Sequence, residues 1–213
     1  GERARLVREK MADLAGQTIF SPRPFKDDPL TEFVIVRPGE TLRAIAGRFT
    51  VTEEFIAFVN HIRDKNLLRE GQRLKLVHGP FHVTVSKPEH VLDLYLRNHY
   101  LRSFRVALGV GGSTPSGTWR VANRQEDPGW VDPQTGQRWH PSDPNNPIGE
   151  HWIGLTGLEG ECAGRTGYGI HGTIDPVSIG QDVSMGCIRL APEDAALLYR
   201  VLQPGQSYVI VTD

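Results

Sequence analysis

The sequence predicts a mainly β domain with one helix near the C-terminus, preceded by a small α+β unit of βααβ order. Three observations carry this. Gly (23) and Pro (15) are abundant and cluster between residues 109 and 180, which implies many turns and short strands rather than a helical bundle. Segments 81–85, 91–96 and 105–110 alternate apolar and polar residues with the period of a half-buried strand. Residues 32–77 pass from a strand pattern through two helix-spaced stretches and back to a strand, a minimal core of its own.

From the N-terminus, Leu6, Val7, Met11 and Leu14 recur among charges, the spacing of a short amphipathic helix over 1–16. Ser21 to Pro29 holds three prolines and reads as a linker. Phe33-Val34-Ile35-Val36 is a strand and Pro38-Gly39-Glu40 a turn. Leu42, Ile45, Ala46 and Phe49 place a helix over Thr41–Phe49, and Thr52 caps a second helix running through Val59, with Glu53 and Glu54 in its first turn. Arg73–Val77 closes the unit, and His78-Gly79-Pro80 is the expected boundary. Beyond it, Trp119-Arg120-Val121, 151–155, 167–171 and 187–190 read as strands, Ala191–Val201 as a helix and Tyr208–Thr212 as a final strand. Asp127 to Pro147, carrying Trp130, Trp139 and His140, is long enough to be a lid or binding loop. The expected division is an N-terminal helix and linker over 1–31, a small unit over 32–78 and a larger domain over 79–213.

Charge excludes several function classes. Basic and acidic residues nearly cancel, 24 against 25, and no basic stripe argues for nucleic acid. No apolar run approaches membrane-spanning length. Gly1 to Lys10 is charged rather than apolar, so no signal segment is expected in this chain, and composition leaves the compartment open. No metal is expected: the eight histidines include no HExxH, His78 and His82 span Gly79-Pro80 and cannot share a helix face, and neither cysteine has a CxxC partner. No phosphate loop or other cofactor site is expected either, since Gly109–Gly112 opens no helix pattern.

The chemistry centres on Ser184-Met185-Gly186-Cys187-Ile188-Arg189, with Ile170-His171-Gly172-Thr173 upstream. A thiol becomes a useful nucleophile when an imidazole within hydrogen-bond reach activates it. Ser184 and Gly186 break the strand just before Cys187, whereas a plain buried cysteine would sit within it. Backbone N–H groups of Gly186 and Cys187 are placed to face a developing oxyanion. Ser184 either bonds the histidine or orders the loop. Arg189 suits carboxylate recognition, with a structural salt bridge as the competing role. A Cys162–Cys187 disulfide is an alternative resting state that would disable the nucleophile.

These residues resemble the signature of the L,D-transpeptidase (YkuD-type) catalytic domain: a histidine, a mid-teens gap, then Ser/Thr-x-Gly-Cys, an apolar residue and Arg or Asn. Thr114-Pro115-Ser116-Gly117-Thr118 is similar to the family's TPxG turn, and Trp152-Ile153-Gly154-Leu155 to its segment before the histidine. The resemblance covers roughly residues 80–213 and implies a β-sandwich-like catalytic domain with one C-terminal helix. It also implies Cys187 as nucleophile, His171 as base, and the Gly172 carbonyl as the group orienting His171, with Asp175 as runner-up. Met185 stands where many members have histidine, which removes a polar group from the pocket rim. The implied reaction is acyl transfer on peptidoglycan stem peptides through a cysteine thioester, giving a 3→3 cross-link, with carbapenem β-lactams as inhibitors. The thioester's capture by water or by a protein amine, and a silent wall-binding module, stay open as alternatives.

Pro38-Gly39-Glu40-Thr41-Leu42, Asn60 and Gly71-Gln72-Arg73-Leu74 are similar to the LysM module. That resemblance implies affinity for N-acetylglucosamine-containing glycan, with a spacer role as the alternative. Together the two resemblances imply a cell-envelope, extracytoplasmic location.

Overall fold

A computed structural model describes residues 2–23, 25 and 27–213. Gly1, and Pro24 and Lys26 of the expected linker, lie outside the described residues. The chain divides into two compact units: Gly1–His82 with Leu94–Ser103 and Arg200–Gln203, and Val83–Asp93 with Phe104–Tyr199 and Pro204–Asp213.

The first unit opens with helix α1 (Glu2–Thr18), followed by β1 (Thr31–Ile35), α2 (Leu42–Phe49), α3 (Glu53–Val59) and β2 (Arg73–Val77). Strands β1 and β2 pair antiparallel from Thr31↔Val77 to Ile35↔Arg73. Both helices start where capping chemistry dictates: Thr41 accepts from the Ala44 N–H and Thr52 from the Phe55 N–H. Leu42, Ile45, Phe49, Phe55, Ile56 and Val59 are buried with Leu74 and Leu76 of β2. Asn60 ties α3 to the strand. Its amide donates to the Ile56 and Lys75 carbonyls at 2.9 and 2.8 Å, and its Oδ1 accepts from the Lys75 N–H at 2.7 Å.

Lys75 is buried, which alternation along β2 does not suggest. Its ammonium donates to the carbonyls of Thr18, Ser21 (2.8 Å) and Arg23 (3.0 Å), so it caps the C-terminal end of α1 and the turn after it.

The larger β structure comprises β3 (Phe81–Ser86), β4 (Val91–Leu96), β5 (His99–Arg105), β6 (Leu108–Gly109), β7 (Gly117–Glu126), β8 (Trp130–Val131), β9 (Arg138–Trp139), β10 (His151–Glu159), β11 (Tyr168–His171), β12 (Asp182–Ser184) and β13 (Ile188–Arg189), then α4 (Pro192–Val201) and β14 (Tyr208–Thr212). Eight strands form one sheet in the order β13-β11-β10-β7-β14-β3-β4-β5, and β6 pairs with β12 separately. The fold is thus mainly β with a single C-terminal helix, as the Gly/Pro pattern predicts. Helix α4 carries Pro192 at its start, Glu193 and Asp194 in its first turn and Arg200 in its last, each where the backbone dipole favours it.

Two local expectations are corrected. The strand expected over 105–110 lies mostly earlier, at His99–Arg105. Strands β4 and β5 meet through the two residues Arg97-Asn98, with Arg97 at φ +52°, a tight turn without the glycine that normally announces one. After β6 the chain bends at Gly111 and Gly112, both at positive φ, which ends the strand. The expected loop at Asp127–Pro147 contains a small ribbon instead: β8 and β9 pair antiparallel and stack Trp130 on Trp139, centroids 5.1 Å apart.

Candidate active site

Three neighbouring strands assemble the site. Strand β10 pairs with β11 so that Trp152 lies opposite His171, and β13 runs parallel to β11 with Arg189 beside His171. The Trp152 ring stacks on the imidazole at 5.8 Å and 24°. Space for that ring comes from Gly169: a Cβ there would sit 2.5 Å from the Trp152 indole.

His171 is 3% exposed, and its Nδ1 lies 2.6 Å from the Gly172 carbonyl. A carbonyl only accepts, so Nδ1 carries the proton and Nε2 is left as the acceptor. Asp175 does not take this part; its backbone closes a turn with Thr173 and Ser178. Burial pulls the His171 pKa down to about 4, with the Gly172 hydrogen bond opposing and the Arg189 charge reinforcing the shift. The imidazole is therefore neutral at neutral pH.

The turn before Cys187 is held by hydroxyls. Ser184 Oγ donates to the Cys187 carbonyl at 2.6 Å and accepts from the Gly186 N–H at 3.0 Å. Ser184 thus orders the loop, and the expectation that the Gly186 N–H faces an oxyanion is corrected, because Ser184 already occupies it. Gly186 sits at φ +132°, and a Cβ there would meet the Tyr168 ring at 2.7 Å and the Ser113 carbonyl at 2.8 Å. Buried Thr114 braces the turn from the other side. Its Oγ1 accepts from the Gly109 N–H at 2.8 Å and donates to the Gly186 carbonyl at 3.0 Å.

Cys187 is half-buried and unbridged. Burial pushes its thiol pKa up, against the weaker pull of a Gly169 backbone hydrogen bond and the Arg189 charge. The resting pair is a neutral thiol and a neutral imidazole. Cys162 is also free, fully buried, and its thiol donates to the Glu159 carbonyl at 3.0 Å, so no Cys162–Cys187 disulfide exists.

His171, Ser184, Met185, Cys187 and Arg189 line one cavity of about 200 Å³, walled further by Trp130, Trp152 and Tyr168. Met185 is exposed at its rim. The Arg189 Nε is buried without a hydrogen-bond partner, and no carboxylate pairs with Arg189 among the described residues, so the competing salt-bridge role lacks a partner. Sequence reasoning missed Tyr168 as a wall of the site and Thr114 as a brace. The signal for Thr114 was present in the TPSG turn, whereas nothing around Tyr168 marks it.

Residues 80–211 match the YkuD family, described as the L,D-transpeptidase catalytic domain, and residues 34–77 match the LysM domain. YkuD of Bacillus licheniformis is 30% identical over 178 residues, covering 80% of this chain and 93% of that protein. YkuD of Bacillus subtilis is 30% identical over 183 residues, covering 82% and 96%. Among solved structures, an L,D-transpeptidase from Mycobacterium tuberculosis covers 68% of this chain and 74% of its own at 16% identity, TM-score 0.49. The chain belongs to the YkuD family of L,D-transpeptidases and carries a LysM domain ahead of the catalytic one.

Proposed function

We propose that the protein is a peptidoglycan L,D-transpeptidase of the cell envelope that forms 3→3 cross-links through a thioester on Cys187. The observation that carries this reading is that Cys187 and His171 line one cavity while His171 Nδ1 is committed to Gly172, which leaves Nε2 as a base.

In the first step the Cys187 thiol gives its proton to His171 Nε2 as sulfur attacks the carbonyl of the third, L-centred stem residue. The carbon–nitrogen bond to the terminal D-Ala breaks, and the imidazolium returns the proton to that leaving amine. In the second step an amine of a neighbouring stem attacks the thioester. Neutral His171 takes its proton and passes it to the departing thiolate, so the enzyme is restored. The neutral resting pair suits this order, because charge separates only when substrate fills the cavity. Of the two donors expected for the oxyanion, the Cys187 N–H remains. Arg189, with its unpartnered Nε, is assigned to a stem carboxylate.

The LysM domain is assigned to glycan binding, which concentrates the catalytic domain on its polymer through effective concentration. Hydrolysis of the thioester, giving an L,D-carboxypeptidase, differs only in the acceptor that reaches the intermediate. Analysis of disaccharide-tetrapeptide products separates the two, because a dimer marks transpeptidation and a tripeptide marks hydrolysis.

The direct test is intact mass after incubation with a carbapenem, alongside Cys187→Ala. An adduct on the wild type and none on the folded variant supports the acyl-enzyme. A folded, reduced wild type that takes no adduct, or an alanine variant with undiminished turnover, overturns it.

A further inference from the structure

Helix α1 is fixed at one end and bare at the other. Ala15 and Ile19 are buried, the Lys75 ammonium caps Thr18, Ser21 and Arg23, and Phe20 packs edge-on against Phe55 at 6.1 Å. Upstream of Ala12, every described residue of the helix is exposed. That exposed part includes Leu6 (51%), Val7 (52%) and Met11 (37%), and Leu14 beyond it is 56% exposed. A short helix in water gains most of its stability by burying an apolar stripe, so these residues lack the cover that such a helix normally has.

The charges around the stripe are segregated. At about 100° per residue, Val7, Met11 and Leu14 fall within a sector of about 60°. Arg3 and Lys10 flank one side, towards Leu6, and Arg8 flanks the other. Glu2, Glu9 and Asp13 gather in a sector of about 40° on the far side of the helix, where Glu9 pairs with Arg5 at 3.8 Å. A second copy of the helix laid against this stripe would bring basic flank against basic flank. A soluble polyanion would answer the charges but leave the apolar residues in water. An anionic bilayer surface satisfies both: the apolar residues enter the acyl boundary while the Arg and Lys stems reach the headgroups. The surface continues onto exposed Phe25, through a groove that Met11 and Leu14 share with Leu30 and Leu101. No helix among the described residues is long and apolar enough to cross a membrane, so surface docking rather than spanning is the mode open to α1.

We infer that α1 docks the protein on an anionic lipid surface through Val7, Met11 and Leu14, with Arg3, Arg8 and Lys10 as its headgroup contacts. This stands apart from the chemistry of Cys187, and its test uses no catalytic readout. The full chain is co-sedimented with vesicles of phosphatidylglycerol mixed with phosphatidylcholine, and with phosphatidylcholine alone, at low and at high salt. The expected result is binding at least about tenfold stronger to the anionic vesicles, weakened by salt. That binding is lost both in Val7→Ser/Met11→Ser/Leu14→Ser and in Arg3→Glu/Arg8→Glu/Lys10→Glu. All six positions are solvent-exposed, so circular dichroism should show both variants folded. Equal binding of variant and wild type overturns the inference. So does no sedimentation at low salt, or a concentration-dependent dimer that the apolar triple variant abolishes.

Discussion

The Nδ1–H of His171 donates to the carbonyl of Gly172, its immediate neighbour, at 2.6 Å. A backbone carbonyl carries no charge to stabilise an imidazolium as a carboxylate would, so it fixes the tautomer without raising basicity much, and burial then dominates. The result is an imidazole that is neutral across the physiological range, beside a thiol that is also neutral.

This sets the pH dependence of acylation. Protonated His171 cannot accept the thiol proton, so activity is lost as pH falls through the value near 4 to which burial pulls the imidazole. Carbapenem acylation should therefore be nearly flat from pH 8 to pH 6 and fall only towards pH 4. Alkylation by iodoacetamide needs the free thiolate, and should instead rise with pH into the alkaline range because burial raises the Cys187 pKa. Parallel rate–pH profiles for the two reagents check this. An acylation profile that drops by half near pH 6.5 would mean an imidazole with an ordinary pKa.

Gly169→Ala should damage both stability and activity. The added Cβ would meet the Trp152 indole at 2.5 Å, and the ring makes room only by leaving its stack on His171. Trp152 stacks on His171, so its displacement moves the imidazole. Overpacking of this kind costs about 1–3 kcal/mol, and urea unfolding measures it. A drop in carbapenem acylation at saturating reagent, larger than any loss of folded fraction, locates the damage at His171.

Lys75→Met tests the cap on α1. The replacement keeps an unbranched apolar stem but leaves the carbonyls of Thr18, Ser21 and Arg23 without their shared donor. A fully buried orphaned acceptor costs about 1–3 kcal/mol, and these part-buried carbonyls cost less because water reaches them. Limited proteolysis should then cut in the segment after α1 at protease levels that leave the wild type intact. An unchanged digestion pattern would show that the packing of Ile19 and Phe20 holds the helix unaided.

How much of this was legible depended on whether the determining interaction is local. The LysM helices were readable because their signals are local: the spacing of Leu42, Ile45, Ala46 and Phe49 for the first, and the Thr52 cap for the second. Cys187 and His171 stood out because small residues and an arginine flank the cysteine and a glycine follows the histidine. Lys75 was invisible because its acceptors lie more than fifty residues upstream, and a lysine in a strand normally marks the wet face. Strand β5 was misplaced because Arg97 takes a left-handed conformation that its residue type does not advertise. Gly186 was singled out as a glycine beside Cys187, but the partner of its N–H depended on Ser184 folding back over the turn.

Thr114→Val probes the brace on that turn. Valine matches threonine in shape, so the change removes the hydroxyl and little else, leaving the Gly109 N–H and the Gly186 carbonyl without their common partner in a buried setting. The cost should be about 1–3 kcal/mol in unfolding free energy, and the functional loss should exceed it in kind. Gly186 is held at φ +132° with Tyr168 and Ser113 against it, and releasing its carbonyl lets the peptide preceding Cys187 rotate. Thr114→Ser restores the hydroxyl and should recover most of the acylation rate, whereas Thr114→Val should not. Equal rates in the serine and valine variants would mean that Ser184 alone holds the turn.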